Sequence, residues 1–171
     1  MEVLPIGIEN AGQFNETIMA IASEELFAIH PENLSAKSVY RFVERQVIDG
    51  APMFVALEDD RVVGWCEISL SDLEYSEHSG VLSMGVLPGF RNRGVGSWLI
   101  KKCLAAARGM GLKRVELSVL ENNPDAQRFY AAKGFKVEGK KIKSLQINGK
   151  YHDETIMALW LSKRHSLDYD L

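Results

Sequence analysis

Residues 82–111, LSMGVLPGFRNRGVGSWLIKKCLAAARGMG, hold the reading that decides the fold. A strand over residues 81–86 is broken by Pro88 and Gly89. Gly94, Val95, Gly96 and Ser97 then open a helix that runs to about Met110 and is stopped by Gly111. Val95, Trp98, Leu99, Cys103 and Ala106 share one stripe of that helix and read as core, while Lys101, Lys102 and Arg108 face elsewhere. A strand feeding a helix through a glycine turn is the unit around which the rest must pack.

On the N-terminal side, residues 2–8 read as a strand. Residues 10–27 read as a helix with Phe14, Ile18, Ile21, Ala22 and Leu26 on one face. Ser35 caps a second helix, AKSVYRFVERQVI, which Asp49 and Gly50 stop. Residues 53–57 and 61–70 form a hairpin around Glu58-Asp59-Asp60, and residues 71–79 form a polar surface loop. On the C-terminal side, residues 114–120 alternate into a strand. Asn123 caps a fourth helix with Pro124 at its first position, and that helix ends near Lys133-Gly134. Residues 135–161 read as two strands about the Asn148-Gly149 turn. The order β-α-α-β-β-β-α-β-α-β-β predicts an α+β layout (α/β/α-like): a mixed sheet of about seven strands with flanking helices. No repeat or linker divides residues 1–171, so one domain is expected, with its core over residues 2–161 and a polar tail over residues 162–171.

The bulk figures agree. Of 171 residues, 46% are hydrophobic and 25% charged, which excludes a disordered chain and a disulfide scaffold. The formal charge of −3 argues against a general nucleic-acid binder. No stretch approaches eighteen apolar residues, so no membrane span is expected, and residues 1–12 lack the basic and apolar regions of a secretory signal. Cys66 and Cys103 lie in apolar surroundings without CxxC spacing and read as buried thiols of a cytoplasmic protein. His30, His78, His152 and His165 show no ligand spacing, and no metal is expected.

The glycine turn carries the chemistry. The first N–H groups of a helix lack intrahelical acceptors and all point one way. The helix dipole adds partial positive charge there, and glycine lets an anion approach the backbone. Arg91 and Arg93 add charge beside it, so phosphate groups are the natural guest. The P-loop is excluded, because no Lys-Ser or Lys-Thr follows the glycines. A dinucleotide fingerprint matches only partly, since leucine stands at Leu99 where a third glycine or alanine belongs.

Arg91-Asn92-Arg93-Gly94-Val95-Gly96 resembles the [QR]xxGx[GA] signature of the GNAT superfamily of acyl-CoA N-acyltransferases. Residues 82–86 before it resemble that family's fourth strand. Asn123-Pro124-Asp125-Ala126, Tyr130 and Gly134-Phe135 resemble the NxxA…Y…GF segment of its second motif. The resemblance covers roughly residues 50–161, and the first two helices in layout only. The hairpin Ile147-Asn148-Gly149-Lys150-Tyr151-His152-Asp153 with Met157-Ala158 is similar to a narrower bacterial group that acts on small amines, amino acids and related antimetabolites.

The resemblance implies a GNAT fold whose mostly antiparallel sheet is splayed between its fourth and fifth strands. It implies acetyl-CoA as acyl donor, with pyrophosphate on the N–H groups of residues 93–97 and the pantetheine amides paired to Met84 and Val86. The cofactor set it implies is Met84, Gly85, Val86, Arg91, Arg93, Gly94, Val95, Gly96, Ser97, Asn123, Ala126 and Tyr130. Val86 N–H would stabilise the oxyanion, and Tyr130 would protonate the leaving thiolate. Asn123 has two competing roles, cofactor ligand and helix cap. The fourth strand carries no carboxylate, so Glu67, Glu116, His78 or a water relay stand as alternatives for the base. Freeing the neutral amine at pH 7 costs about 1 kcal/mol for an α-amine and about 4.6 kcal/mol for a lysine.

Acceptor residues are expected from the first two helices, their joining loop and the late hairpin, with Glu24, Glu25, Glu32 and Asp153 available to a cationic amine. The expected reaction is acetyl transfer to the primary amine of a small molecule or amino acid by direct attack in a ternary complex. A protein N-terminus or lysine is the alternative acceptor, and a CoA-binding regulatory module without turnover is the alternative class. Many relatives pair, so a homodimer is one expected arrangement.

Overall fold

The computed structural model describes residues 1–24 and 34–161. Seven strands form one sheet in the order β1-β2-β3-β4-β5-β7-β6. They are β1 (Glu2–Pro5), β2 (Met53–Glu58), β3 (Arg61–Leu70), β4 (Ser79–Val86), β5 (Arg114–Leu120), β6 (Lys136–Ile147) and β7 (Lys150–Trp160). Every neighbouring pair is antiparallel except β4 and β5, which run parallel. The helices are α1 (Ala11–Ala22), α2 (Ala36–Ile48), α3 (Val95–Gly109) and α4 (Pro124–Ala132). This is the GNAT fold the motifs imply.

Local chemistry sets most boundaries. The Ser35 hydroxyl accepts the Ser38 N–H and starts α2, as Asn123 accepts Ala126 N–H and starts α4. Asn148 and Gly149 both take positive φ, the geometry of a tight hairpin turn. Three expectations need correction. The first strand stops at Pro5 rather than residue 8, because Asn10 Oδ1 accepts Gly7 N–H and bends the chain into a short 3-10 turn over Ile8–Asn10. The first helix ends at Ala22, where the Ser23 hydroxyl donates back to the Ala20 carbonyl at 2.7 Å. Residues 25–33, which include Glu25, Leu26, His30 and Glu32, lie outside the described residues, as does the tail 162–171. Finally, β4 begins at Ser79, inside the segment read as loop.

The sheet is packed on both faces. On one, α1 and α2 bury Phe14, Ile18, Ile21, Val39 and Val43 against Val55, Val62 and Trp65. Thr17 is buried there too, its hydroxyl donating to the Val62 carbonyl at 2.8 Å. On the other, α3 presents Val95, Leu99, Ile100, Cys103, Leu104 and Ala107 to Val63, Cys66, Val115, Leu117 and Val119. Trp98 is not part of that stripe. It is 53% exposed, on the shoulder of α3 beside the exposed Lys101 and Lys102. Cys66 and Cys103 are buried free thiols, and Cys103 Sγ donates to the Pro52 carbonyl. No helix among the described residues is long and apolar enough to cross a membrane.

Gly85 lies where the α1–α2 face meets β4. A Cβ there would stand 2.5 Å from Cη2 and 2.6 Å from Cζ3 of the fully buried Trp65 ring. An indole locked against Phe14, at a 5.4 Å centroid distance, has nowhere to move. Gly85→Ala should therefore cost about 1–3 kcal/mol by overpacking. Urea denaturation checks this, and an unchanged midpoint would contradict it.

Candidate active site

The sheet parts in its middle. β4 and β5 are paired only over Ser79–Arg114, Gly80–Val115 and Val81–Glu116. The His78 carbonyl closes that end by accepting Lys113 N–H at 2.8 Å and Arg114 N–H at 3.1 Å. From Leu82 onward β4 is paired, among the described residues, on its β3 side alone. There the Leu87 N–H donates to the Val63 carbonyl at 2.9 Å. Backbone polar groups alternate sides along an antiparallel strand. The N–H groups of Met84 and Val86 consequently face the split rather than β3.

Beside that open edge stands the start of α3. Gly94 takes φ +85°, a conformation glycine adopts without strain, and a Cβ there would meet nothing within 4 Å. Gly96 is small for a different reason: a Cβ would lie 3.2 Å from Met84 Cε and 3.4 Å from Phe129 Cζ. The close approach joins β4, α3 and α4 at one point. Among the described residues no side chain caps the helix, so within them the first-turn N–H groups of Val95, Gly96 and Ser97 await an outside acceptor. An uncapped helix start in open space, next to a strand edge with free donors, fits the acyl-CoA that the motifs imply.

The two arginines are arranged less simply. The Arg91 guanidinium donates to the Val86 carbonyl and to both oxygens of Glu24. Arg93 donates to Glu58 Oε1 at 3.0 Å and lies over the Phe90 ring at 5.2 Å. Asn123 acts as the cap of α4, and Ala126 supplies the N–H that it accepts.

Tyr130 projects from α4 into the core. It is 8% exposed and sits edge-on between Phe129, at 5.4 Å, and Phe135, at 5.7 Å. Burial above all, then the neighbouring Cys66, pushes its phenol well above the usual tyrosine range. It holds its proton at neutral pH, which is the state an acid must start from.

Among the three base candidates the fold discriminates. His78 is exposed at the closed end of the β4–β5 pairing, its ring 6.4 Å from Trp160. Glu116 sits on the last paired step and is bound to Arg114 at 3.0 Å. Glu67 lies opposite Ser83, within the stretch where β4 has lost β5. Its side chain is 7% exposed, accepting Gln46 Nε2 at 3.1 Å and the Ser69 hydroxyl at 2.9 Å on the same oxygen. Burial raises its pKa to about 7, although both hydrogen bonds pull the other way. The acidic residues expected to meet the amine are occupied where described. Glu24 holds Arg91, and Asp153 Oδ1 accepts Lys143 N–H at 2.8 Å.

Comparison with known proteins agrees with this fold. The profile of the acetyltransferase (GNAT) family matches residues 16–135. An uncharacterized N-acetyltransferase of Mycobacterium tuberculosis is 34% identical over 134 residues, covering 78% of this chain and 80% of its own. The L-amino acid N-acetyltransferase AaaT of Escherichia coli is 31% identical over 110 residues, 64% of this chain and 68% of its own. The structure of yncA from Salmonella typhimurium, solved with its cofactor acetyl-CoA, superposes with a TM-score of 0.88 at 17% identity, covering 99% of each chain. The chain belongs to the GNAT family of acetyltransferases. It is an N-acetyltransferase.

The Glu67 carboxyl makes stability depend on pH. An acid whose folded pKa, about 7, exceeds its unfolded value of 4.5 binds more protons when folded. Its contribution to stability is therefore lost as pH rises from 4.5 to 7, by on the order of 3 kcal/mol. Glu67→Gln should remove that loss, so its stability relative to wild type should grow across the interval. Denaturant titrations at pH 5 and pH 8 measure it, and parallel pH dependence in the two proteins would contradict the buried carboxyl.

Proposed function

We propose that the protein transfers an acetyl group from acetyl-CoA to the primary amine of a small molecule or amino acid, by direct attack within a ternary complex. The observation that carries this reading is the parting of β4 from β5 beside the uncapped start of α3. Acetyl-CoA supplies the activated acetyl group as a thioester. The first-turn N–H groups of α3, with those of Arg93 and Gly94, would hold its pyrophosphate, and the helix dipole adds favourable charge. Met84 and Val86 would pair with the pantetheine arm as an added strand.

Three groups of this chain divide the chemistry. Val86 N–H donates to the acyl oxygen as it gains negative charge. Tyr130 gives its proton to the departing sulfur. Glu67, through a water, takes the proton from the attacking amine, and a pKa near the working pH is what a base needs. A small acceptor is supported by the NGKYHD hairpin and by the likeness to an L-amino acid N-acetyltransferase. The same likeness would make this protein, too, an enzyme for free amino acids or close analogues.

Free thiol release from acetyl-CoA across a panel of amines, amino acids and peptides tests the proposal. Turnover is expected with small amines. Release with peptides alone would contradict the acceptor class, and binding without release would contradict the enzyme. Within the active protein, Tyr130→Phe should lower kcat about 100-fold or more with little change in acetyl-CoA affinity. Gly94→Val forces a β-branched residue to positive φ at the phosphate turn and should weaken acetyl-CoA about tenfold or more. Calorimetry and steady-state rates read both, and an unaltered rate or affinity would remove the residue from its role.

A further inference from the structure

Arg91 opens the glycine turn, where positive charge would serve a phosphate, yet its guanidinium is turned elsewhere. Nε donates to the Val86 carbonyl at 2.8 Å. Nη1 donates to Glu24 Oε2 at 2.8 Å, and Nη2 to Glu24 Oε1 at 2.6 Å. A guanidinium gripping both oxygens of a carboxylate has a fixed geometry as well as charge attraction. Glu24 cancels the charge of Arg91, and three of its five N–H donors are engaged.

The peptide that Arg91 touches is the informative part. The Val86 carbonyl and the Leu87 N–H belong to one planar peptide unit. Its N–H donates to the Val63 carbonyl at 2.9 Å on the β3 side, and its oxygen accepts Arg91 Nε on the side where β5 has departed. That unit is clamped at both ends. The Val86 N–H, one peptide earlier, projects into the split from a strand whose end has little freedom to turn. Glu24 lies two residues beyond the end of α1, so the same side chain also ties α1 to the open edge.

We infer that Arg91, held by Glu24, is a positioning residue for acyl transfer and not a phosphate ligand: it clamps the Val86–Leu87 peptide and thereby aims the Val86 N–H. The inference rests on the acyl-transfer reading above. With the Val86 carbonyl engaged by Arg91, Val86 meets the substrate through its N–H. Any phosphate contact by Arg91 would fall to its two remaining N–H groups, with Glu24 already offsetting the charge and the clamp fixing the direction of the guanidinium. Among the described residues Arg93 makes one side-chain hydrogen bond, to Glu58, and its half-exposed side chain keeps more donors for an anion at the turn than Arg91 does.

The test compares wild type with Arg91→Gln, Glu24→Gln and the double variant. It reads kcat, the acetyl-CoA dissociation constant, and the Leu87 amide nitrogen shift, which responds to the hydrogen bond on the carbonyl of its own peptide. Each single variant should lower kcat about tenfold or more and move the Leu87 signal, with acetyl-CoA affinity held within about threefold. The double variant should be no worse than the poorer single one, as for two residues acting as a unit. Loss of acetyl-CoA affinity on Arg91→Gln but not on Glu24→Gln would overturn the inference in favour of a phosphate ligand. Unchanged kcat with an unmoved Leu87 signal would overturn it in favour of an idle surface pair. If wild type turns over no amine, the acyl-transfer reading fails, and an unmoved Leu87 signal would then refute the clamp separately.

Discussion

A strand in the middle of a sheet normally hydrogen-bonds on both sides, because a backbone N–H or carbonyl withdrawn from water without a partner is costly. β4 keeps its second neighbour for three residue pairs and then loses it. The surrounding elements answer that loss. Arg91 takes the Val86 carbonyl, the glycine turn brings the bare start of α3 alongside, and Gly96 lets α3 close onto Met84 and Phe129. The remaining donors of the edge are left for a ligand. The proposed binding site is thus an unmet hydrogen-bonding requirement of the fold.

Burial does further work in setting the protonation of two groups near that edge. Removing Glu67 from water raises its pKa to about 7, while the Gln46 and Ser69 hydrogen bonds keep the charged form within reach. The same withdrawal from water keeps Tyr130 protonated. One carboxyl can alternate between states near neutral pH, and one phenol stays loaded. The sheet separates them: Tyr130 belongs to the core under α3, whereas Glu67 is hydrogen-bonded to α2.

Most of what depended on neighbours in sequence was legible before the structure, although the local Gly7–Asn10 and Ser23–Ala20 hydrogen bonds that end β1 and α1 were not. Ser35, Asn123-Pro124, Gly94 and Asn148-Gly149 each impose a cap or a turn within three residues, and the elements start or reverse where those residues stand. At the turn, Gly96 comes against Met84 of the open edge and Phe129 of α4. Features made by distant partners were not legible. The Arg91–Glu24 fork joins residues 67 apart, and the Gln46–Glu67 hydrogen bond joins residues 21 apart. Neither partner can be read from spacing. Ser79 looked like loop because its strand character comes from pairing with Arg114 of β5, not from its own pattern. Trp98 looked like core because helical periodicity marks a stripe but not its edges.

The central claim is that the split between β4 and β5, with the start of α3, receives acetyl-CoA. Titrating acetyl-CoA into nitrogen-15-labelled protein and following backbone amides tests it most directly. The largest shifts should fall on Met84, Val86 and Gly94 through Ser97, with the β1–β2 edge of the sheet unmoved. Saturable binding whose shifts cluster away from the split, or no binding at all, would contradict it.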